Sequence, residues 1–178
     1  MPRVVITGGP GAGKTTLLLE LGAMGYPTAS ESARAIIVER LAAGLGPRPA
    51  PLEFAREILR RDIATYLAHP AASEWVFFDR GAAEGLAMLH EASPLPQGEL
   101  QAQLSRYAFH PTVFILPPWE AIYKTDKERD HSFAHAERVH TELSNWYRSC
   151  GYRLHEVPRL PVAQRARHVL HVLSQSDA

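Results

Sequence analysis

Arg3-Val4-Val5-Ile6-Thr7-Gly8-Gly9-Pro10-Gly11-Ala12-Gly13-Lys14-Thr15-Thr16 is the stretch that decides how this chain is read. Its first five residues are mostly β-branched, the composition of a buried strand. Gly8 to Thr15 matches G-x-x-x-x-G-K-S/T, the pattern of a phosphate-binding loop. Leu17-Leu18-Leu19-Glu20-Leu21 then opens a helix. Strand, glycine loop and helix in that order form the context the pattern needs to be more than a coincidence of residues.

The residue types follow from the charge of a polyphosphate. Gly8, Gly11 and Gly13 permit backbone conformations that let successive N–H groups turn inward on an anion. The helix after Gly13 adds its positive dipole end. Lys14, at a site expected to face solvent, reaches the β- and γ-phosphates, and the Thr15 hydroxyl is a ligand for Mg²⁺. Gly9, Pro10, Ala12 and Thr16 complete the cradle. ATP and Mg²⁺ are therefore the expected cofactors.

Outward from this loop the chain alternates strands and helices. Tyr26 to Ala29 reads as a short second strand. A helix through Leu41 follows, capped by Ser30 or Ser32. The loop Gly44–Pro51 precedes a helix over Leu52–Ala68. Trp75-Val76-Phe77-Phe78 is a buried strand ending at Asp79. Helices are predicted over Gly81–Glu91 and Glu99–Tyr107, a buried strand over Thr112–Leu116, and a helix over Ser132–Cys150 with an apolar stripe of Phe133, Ala136, Val139, Leu143 and Trp146. A last strand, Arg153–Val157, and a helix, Val162–Leu173, close the chain. The reading is one α/β domain over 1–178, a three-layer fold with a five-stranded parallel sheet between helices. The glycine loop belongs to a central strand, at the edge where the winding reverses.

Bulk properties exclude several classes. The chain has 178 residues, 46% hydrophobic and 21% charged, with 19 basic and 19 acidic side chains. Such a neutral balance argues against a general nucleic-acid or membrane-surface binder. No apolar run approaches the length of a membrane span. The single Cys150 fits a reducing compartment. With Arg3 already in the first strand, no signal peptide is expected and the location is read as cytoplasmic.

Two further pairs stand out. Asp79-Arg80-Gly81 follows an apolar strand, so the Asp79 carboxylate lies near the phosphate loop, as a ligand of Mg²⁺ or as acceptor of a hydroxyl proton. Capping the next helix is the plainer role for Asp79. Arg80, read as a cation in that helix's first turn, opposes the dipole and favours a functional role. Glu31 and Arg34 repeat the arrangement after the second strand, as candidate acceptor-binding residues. Glu120 to His131 is dense in both charges and lacks an apolar stripe. It reads as a lid over about 120–131 that excludes water from the γ-phosphate, with Lys124, Lys127 and Arg129 as its cations. His131 and His135 have the i, i+4 spacing of metal ligands, but no Glu follows His131 and no Cys pair accompanies them, so they are not assigned to a metal.

Taken together, the glycine loop, Glu31-Ser32-Ala33-Arg34, Phe78-Asp79-Arg80-Gly81 and Tyr123-x-x-Asp126-x-x-Arg129 resemble, in order, the P-loop family labelled predicted ATPase or kinase-like AAA domain. The chain is similar to nicotinamide riboside kinase and, more distantly, to nucleoside and nucleotide kinases. The resemblance implies a lid after the fourth strand. It also implies that Glu31 and Asp79 approach the phosphoryl acceptor, that Arg80 contacts the acceptor or its phosphate, and that Arg129 contacts the donor. The Pro158–Pro161 loop, with Arg159 and Pro161, would lie by the adenine. The expected activity is Mg-ATP-dependent phosphoryl transfer to a small, nucleoside- or nucleotide-like acceptor. The alternative is an ATPase switch acting on a partner protein. Arg80 stands where a hydrolytic ATPase commonly carries Glu, and the guanine-specific motif Asn/Thr-Lys-x-Asp is absent, which favours the kinase reading and ATP over GTP.

Overall fold

The computed structural model describes residues 3–70, 74–123 and 133–176. Within them five strands form one sheet: β1 (Arg3–Gly8), β2 (Thr28–Ala29), β3 (Val76–Asp79), β4 (Thr112–Leu116) and β5 (Arg153–Glu156). Their spatial order is β2-β3-β1-β4-β5, and every pairing is parallel. β1 is therefore central, as its unbroken β-branched run requires of a strand buried on both faces. The register Ile6↔Asp79 sets the end of β3 beside the end of β1.

Among the described residues, seven α-helices connect and cover the strands: α1 (Lys14–Ala23), α2 (Ser32–Ala42), α3 (Pro51–Ala68), α4 (Ala82–Ala92), α5 (Gln97–Arg106), α6 (Phe133–Ser149) and α7 (Val162–Ser176). The two-residue period of β1 divides the core. Val4 and Ile6 pack with Leu17 and Leu21 of α1 and Val169 and Leu173 of α7. Val5 faces the other way, onto Leu86 of α4 and Tyr147 of α6. All nine of these side chains have essentially no exposure, Leu86 of α4 having the most at 1%. Such burial, at about 1.5–3 kcal/mol per large apolar side chain, holds the central strand and so fixes the loop that leaves it.

Three local expectations are corrected. The cap position of α2 is Glu31, with no side-chain cap, not Ser30 or Ser32. Ser32 lies inside the first turn and its hydroxyl donates to Asp62 Oδ1 on α3 at 2.5 Å. That bond between helices outcompetes a local cap. Helix α4 starts at Ala82 with Gly81 in the cap position, so Arg80 precedes the helix and does not lie in its first turn. In α6 the buried set is Ala136, Ser144 and Tyr147; Val139, Leu143 and Trp146 are only half-buried. The inward face is rotated because its polar members find partners. Ser144 Oγ donates to the His140 carbonyl at 2.7 Å, and the Tyr147 hydroxyl donates to Glu84 Oε1 at 2.9 Å.

Among the described residues no helix is long and apolar enough to cross a membrane.

Candidate active site

The glycine loop begins where β1 ends at the carboxyl edge of the sheet. Gly11 and Gly13 have φ of 74° and 89°, the left-handed region that disfavours a side chain. Close neighbours reinforce the requirement: a Cβ on Gly11 would lie 2.6 Å from the Tyr123 ring, and one on Gly13 would lie 2.9 Å from a guanidinium nitrogen of Arg165. Gly13 is also the cap position of α1, so the helix opens onto the loop with free N–H groups. Thr15 and Thr16 are exposed in the first turn, Pro10 is half-exposed, and Ala12 is buried beneath the loop.

Lys14 does not face solvent. It is 7% exposed, and its Nζ donates to the carbonyls of Gly8 at 3.1 Å and Gly9 at 3.2 Å. The loop curls around its own lysine, which stands where an anion's charge would be balanced. Burial, with the Arg80 charge added, lowers its pKa to about 8 against the opposing pull of Asp79, Glu31 and Glu84.

Asp79, the last residue of β3, is 8% exposed and its Oδ1 has no hydrogen-bond partner. Burial raises its pKa to about 6; Lys14 and Arg80 oppose the rise, and Glu31 and Glu84 add to it. An orphaned buried carboxylate oxygen suits a hard cation, and Thr15 adds an exposed hydroxyl in the first turn of α1. Among the described residues no group of three or more His, Cys, Asp or Glu could hold a metal ion. A buried carboxylate and a hydroxyl fit a Mg²⁺ that fills the rest of its shell with water and phosphate oxygens, the usual arrangement for that ion.

Arg80 ties the edge together. It is the one described non-glycine residue with positive φ, 67°, a conformation that costs about 1–2 kcal/mol and has to be held by its surroundings. Its N–H donates to the Ile6 carbonyl at 3.0 Å. The guanidinium donates to Glu31 Oε1 at 3.2 Å, to Glu84 Oε2, and to the Gly8 carbonyl at 3.2 Å. Burial alone would lower its pKa; Glu84, Glu31 and Asp79 more than offset that and keep it charged. Glu31, in turn, is raised by burial but carried below its ordinary value by Arg80, Lys14 and Arg34. Arg34 lies exposed in the first turn of α2 and acts on Glu31 through its charge.

The structure thus brings Lys14, Glu31, Asp79 and Arg80 to one place. Arg159 and Pro161 lie apart from them, in the loop between β5 and α7. The Arg159 guanidinium donates twice to the Pro118 carbonyl, at 3.1 and 2.9 Å, and the Pro161 carbonyl accepts from Gln164 and Arg165 at the start of α7. This loop borders a crevice lined by Ala12, Trp119, Pro158 and Arg159. Arg129 and most of the lid read at 120–131 lie outside the described residues. Within them, Glu120–Ile122 is a single 3₁₀ turn that delivers Tyr123 onto Gly11.

Sequence reasoning missed Glu84, Asp62 and Arg165. Glu84 is buried and accepts from Thr7 Oγ1 at 2.5 Å, from Tyr147 and from Arg80. Its spacing of four from Arg80 was the available signal. Asp62 joins α3 to Ser32, and burial raises its pKa to about 7. Nothing in its helical neighbourhood marks it, because the contact is tertiary.

A family model described as AAA domain matches residues 3–165. No curated protein sequence matches the chain significantly. Among solved structures, the deoxyadenosine kinase of M. mycoides with bound dATP superposes with a TM-score of 0.64 at 15% identity, covering 98% of this chain and 100% of that one. Thymidylate kinase from Candida albicans gives 0.62 at 10% identity, covering 99% and 92%. Shikimate kinase from Acinetobacter baumannii, in complex with shikimate, gives 0.53 at 16% identity, covering 99% and 94%. At these identities the likeness establishes the fold, a P-loop kinase-like three-layer arrangement. With its family match running from β1 into the first turn of α7, the chain belongs to the AAA domain family.

Proposed function

We propose that the protein is a P-loop kinase that transfers the γ-phosphoryl group of Mg-ATP to a hydroxyl or phosphate oxygen of a small, nucleoside- or nucleotide-like acceptor. The observation that carries this reading is Arg80, bent into a left-handed turn beside Asp79 and pinned to Glu31 and Glu84 at the mouth of the glycine loop. A water-activating carboxylate next to Asp79 would suit hydrolysis. Here that position carries a cation that holds a second carboxylate, Glu31, toward the acceptor side. The folds of the deoxyadenosine, thymidylate and shikimate kinases support the same class of reaction. The family name keeps one alternative in view, an ATPase switch that couples hydrolysis to a partner protein.

Mg-ATP, when bound, would supply the phosphoryl group and a cation that offsets its negative charge. The chain's own residues do the rest. The N–H groups of Gly8–Gly13 and the opening of α1 hold the phosphate chain. Lys14 exchanges its two carbonyl partners for phosphate oxygens. Thr15 and Asp79 offer the metal a hydroxyl and a carboxylate. Glu31 orients the acceptor and takes its proton as the oxygen–phosphorus bond forms and the bond to the departing diphosphate breaks. Arg34 and Arg80 bind or position the acceptor. Arg129 is proposed to contact the donor from the lid, and Arg159 and Pro161 to border the adenine.

Two variants test the division of roles. Asp79→Asn is expected to weaken Mg²⁺ dependence and to slow both transfer and background hydrolysis. Glu31→Gln is expected to spare nucleotide binding and background hydrolysis while losing transfer or acceptor affinity. The measurement is Mg²⁺-titrated ATP turnover with and without acceptor. If Glu31→Gln loses Mg-ATP binding and Asp79→Asn loses only transfer, the roles are reversed. If neither variant changes turnover, the kinase reading fails.

A further inference from the structure

Arg165 has no role in the network described above, yet its setting is that of a cation waiting for an anion. It is 6% exposed, and its Nε has no hydrogen-bond partner. No carboxylate among the described residues compensates its charge, and burial alone pulls its pKa below the ordinary value. An unpaired buried charge is costly, so such residues are paired or serve a ligand. It also lies in the first turn of α7, where the helix dipole opposes a positive charge. The guanidinium sits 5.8 Å above the Trp119 ring, a cation–π contact that offsets only part of this cost.

Its position says which anion. One guanidinium nitrogen reaches within 2.9 Å of the point a Gly13 side chain would occupy. Gly13 is the uncapped opening of α1. Lys14 Nζ stands at the other end of the same loop, on the carbonyls of Gly8 and Gly9. The loop is thus flanked by two buried cations, one at each end, with the free N–H groups of α1 between them.

We infer that Arg165 is a second cation of the nucleotide site, leaving Trp119 to donate to a phosphate oxygen on the Gly13 side of the loop. It acts as a positioning residue for the part of the phosphate chain remote from Lys14, so a nucleoside diphosphate is held by it as well as a triphosphate. This rests on the glycine loop binding nucleotide and not on any acceptor being phosphorylated.

The test is calorimetric titration of the wild type, Arg165→Met and Arg165→Lys with ADP and with inorganic tripolyphosphate, together with the unliganded melting temperature of each. Arg165→Met is expected to weaken both ligands about 10- to 100-fold, the scale of a lost charged hydrogen bond, and Arg165→Lys to weaken them less. The unliganded Arg165→Met protein should melt no lower than wild type, because the residue removed was an uncompensated buried charge. ADP affinity within about twofold of wild type in Arg165→Met overturns the inference, and so does a lower unliganded melting temperature with unchanged affinity. A wild type that binds neither ligand overturns it together with the phosphate-loop reading. A wild type that binds ADP through Arg165 but transfers to no acceptor sustains it and overturns the kinase alone.

Discussion

Arg80 Nε and Glu31 Oε1 meet at 3.2 Å across forty-nine residues of sequence, joining the end of β3 to the start of α2 at the carboxyl edge of the sheet. With Glu84 on the other side of the same guanidinium, the pair makes a carboxylate–arginine–carboxylate bridge over the mouth of the glycine loop. The bridge compensates the strain of Arg80's left-handed backbone and holds Glu31 in a fixed place.

Removing the cation should therefore be far worse than a surface substitution. Arg80→Met leaves Glu84, which is 6% exposed, without its cation, and breaking a buried pair costs about 3–5 kcal/mol. The double variant Arg80→Met/Glu84→Gln, in which Thr7 and Tyr147 keep an acceptor, should recover part of that loss. Urea denaturation of the two single variants and the double variant measures the coupling. Additive losses would mean that the bridge is not a unit.

The raised pKa of Asp79 predicts that turnover depends on pH. With a pKa near 6, its carboxyl is protonated on the acid side of that value and is then a poor ligand for a cation. Turnover at limiting Mg²⁺ should show an acid limb centred near that value. Raising Mg²⁺ should move the limb to lower pH, because metal and proton compete for one oxygen. Asp79→Asn should be slow and lack the limb. A limb that ignores Mg²⁺ concentration would remove Asp79 from the metal.

How much of this was legible in the sequence depends on where each contact lies. The glycine loop, the central strand and the strand-end carboxylates Glu31 and Asp79 are local signals, and the structure brings them together. The family description and the kinase-like fold also agree with the resemblance read from those motifs. Glu84, Asp62 and Arg165 were silent because what marks them is tertiary. Glu84 is marked by Thr7 and Tyr147, Asp62 by Ser32 on another helix, and Arg165 by its burial without a carboxylate partner among the described residues. The exposed placement expected for Lys14 failed for a related reason. A lysine's carbonyl partners five and six residues away depend on how the loop curls, which residue types alone do not specify. The stripe of α6 misled because Ser144 and Tyr147 are buried by hydrogen bonding, which a hydrophobic pattern does not register.

Asp62 offers a test of the electrostatics that needs no substrate. Burial raises its folded pKa to about 7 from the ordinary 3.8 of an aspartate. Between those values the folded chain keeps a proton that the unfolded chain has released. Its contribution to stability therefore falls as pH rises through that window and is level above it. Asp62→Asn removes this dependence and leaves Ser32 an acceptor. The variant should match wild type near about pH 4 and be more stable at about pH 8, as read by urea denaturation at each pH. A variant less stable than wild type on the alkaline side would show that the Asp62 charge is compensated in the fold.

A kinase and an ATPase differ in where the γ-phosphoryl group goes. The direct measurement is to incubate the protein and its Lys14→Ala variant with Mg²⁺, ATP labelled in the γ-phosphoryl group, and a pool of nucleosides, nucleotides and small hydroxy acids, and to follow the label by chromatography and mass spectrometry. A kinase puts the label in an organic phosphate, formed about 10²–10³-fold more slowly by Lys14→Ala, the scale for losing one charge-stabilising contact. Label released only as inorganic phosphate, at one rate with or without the pool, would contradict the kinase reading and identify an ATPase.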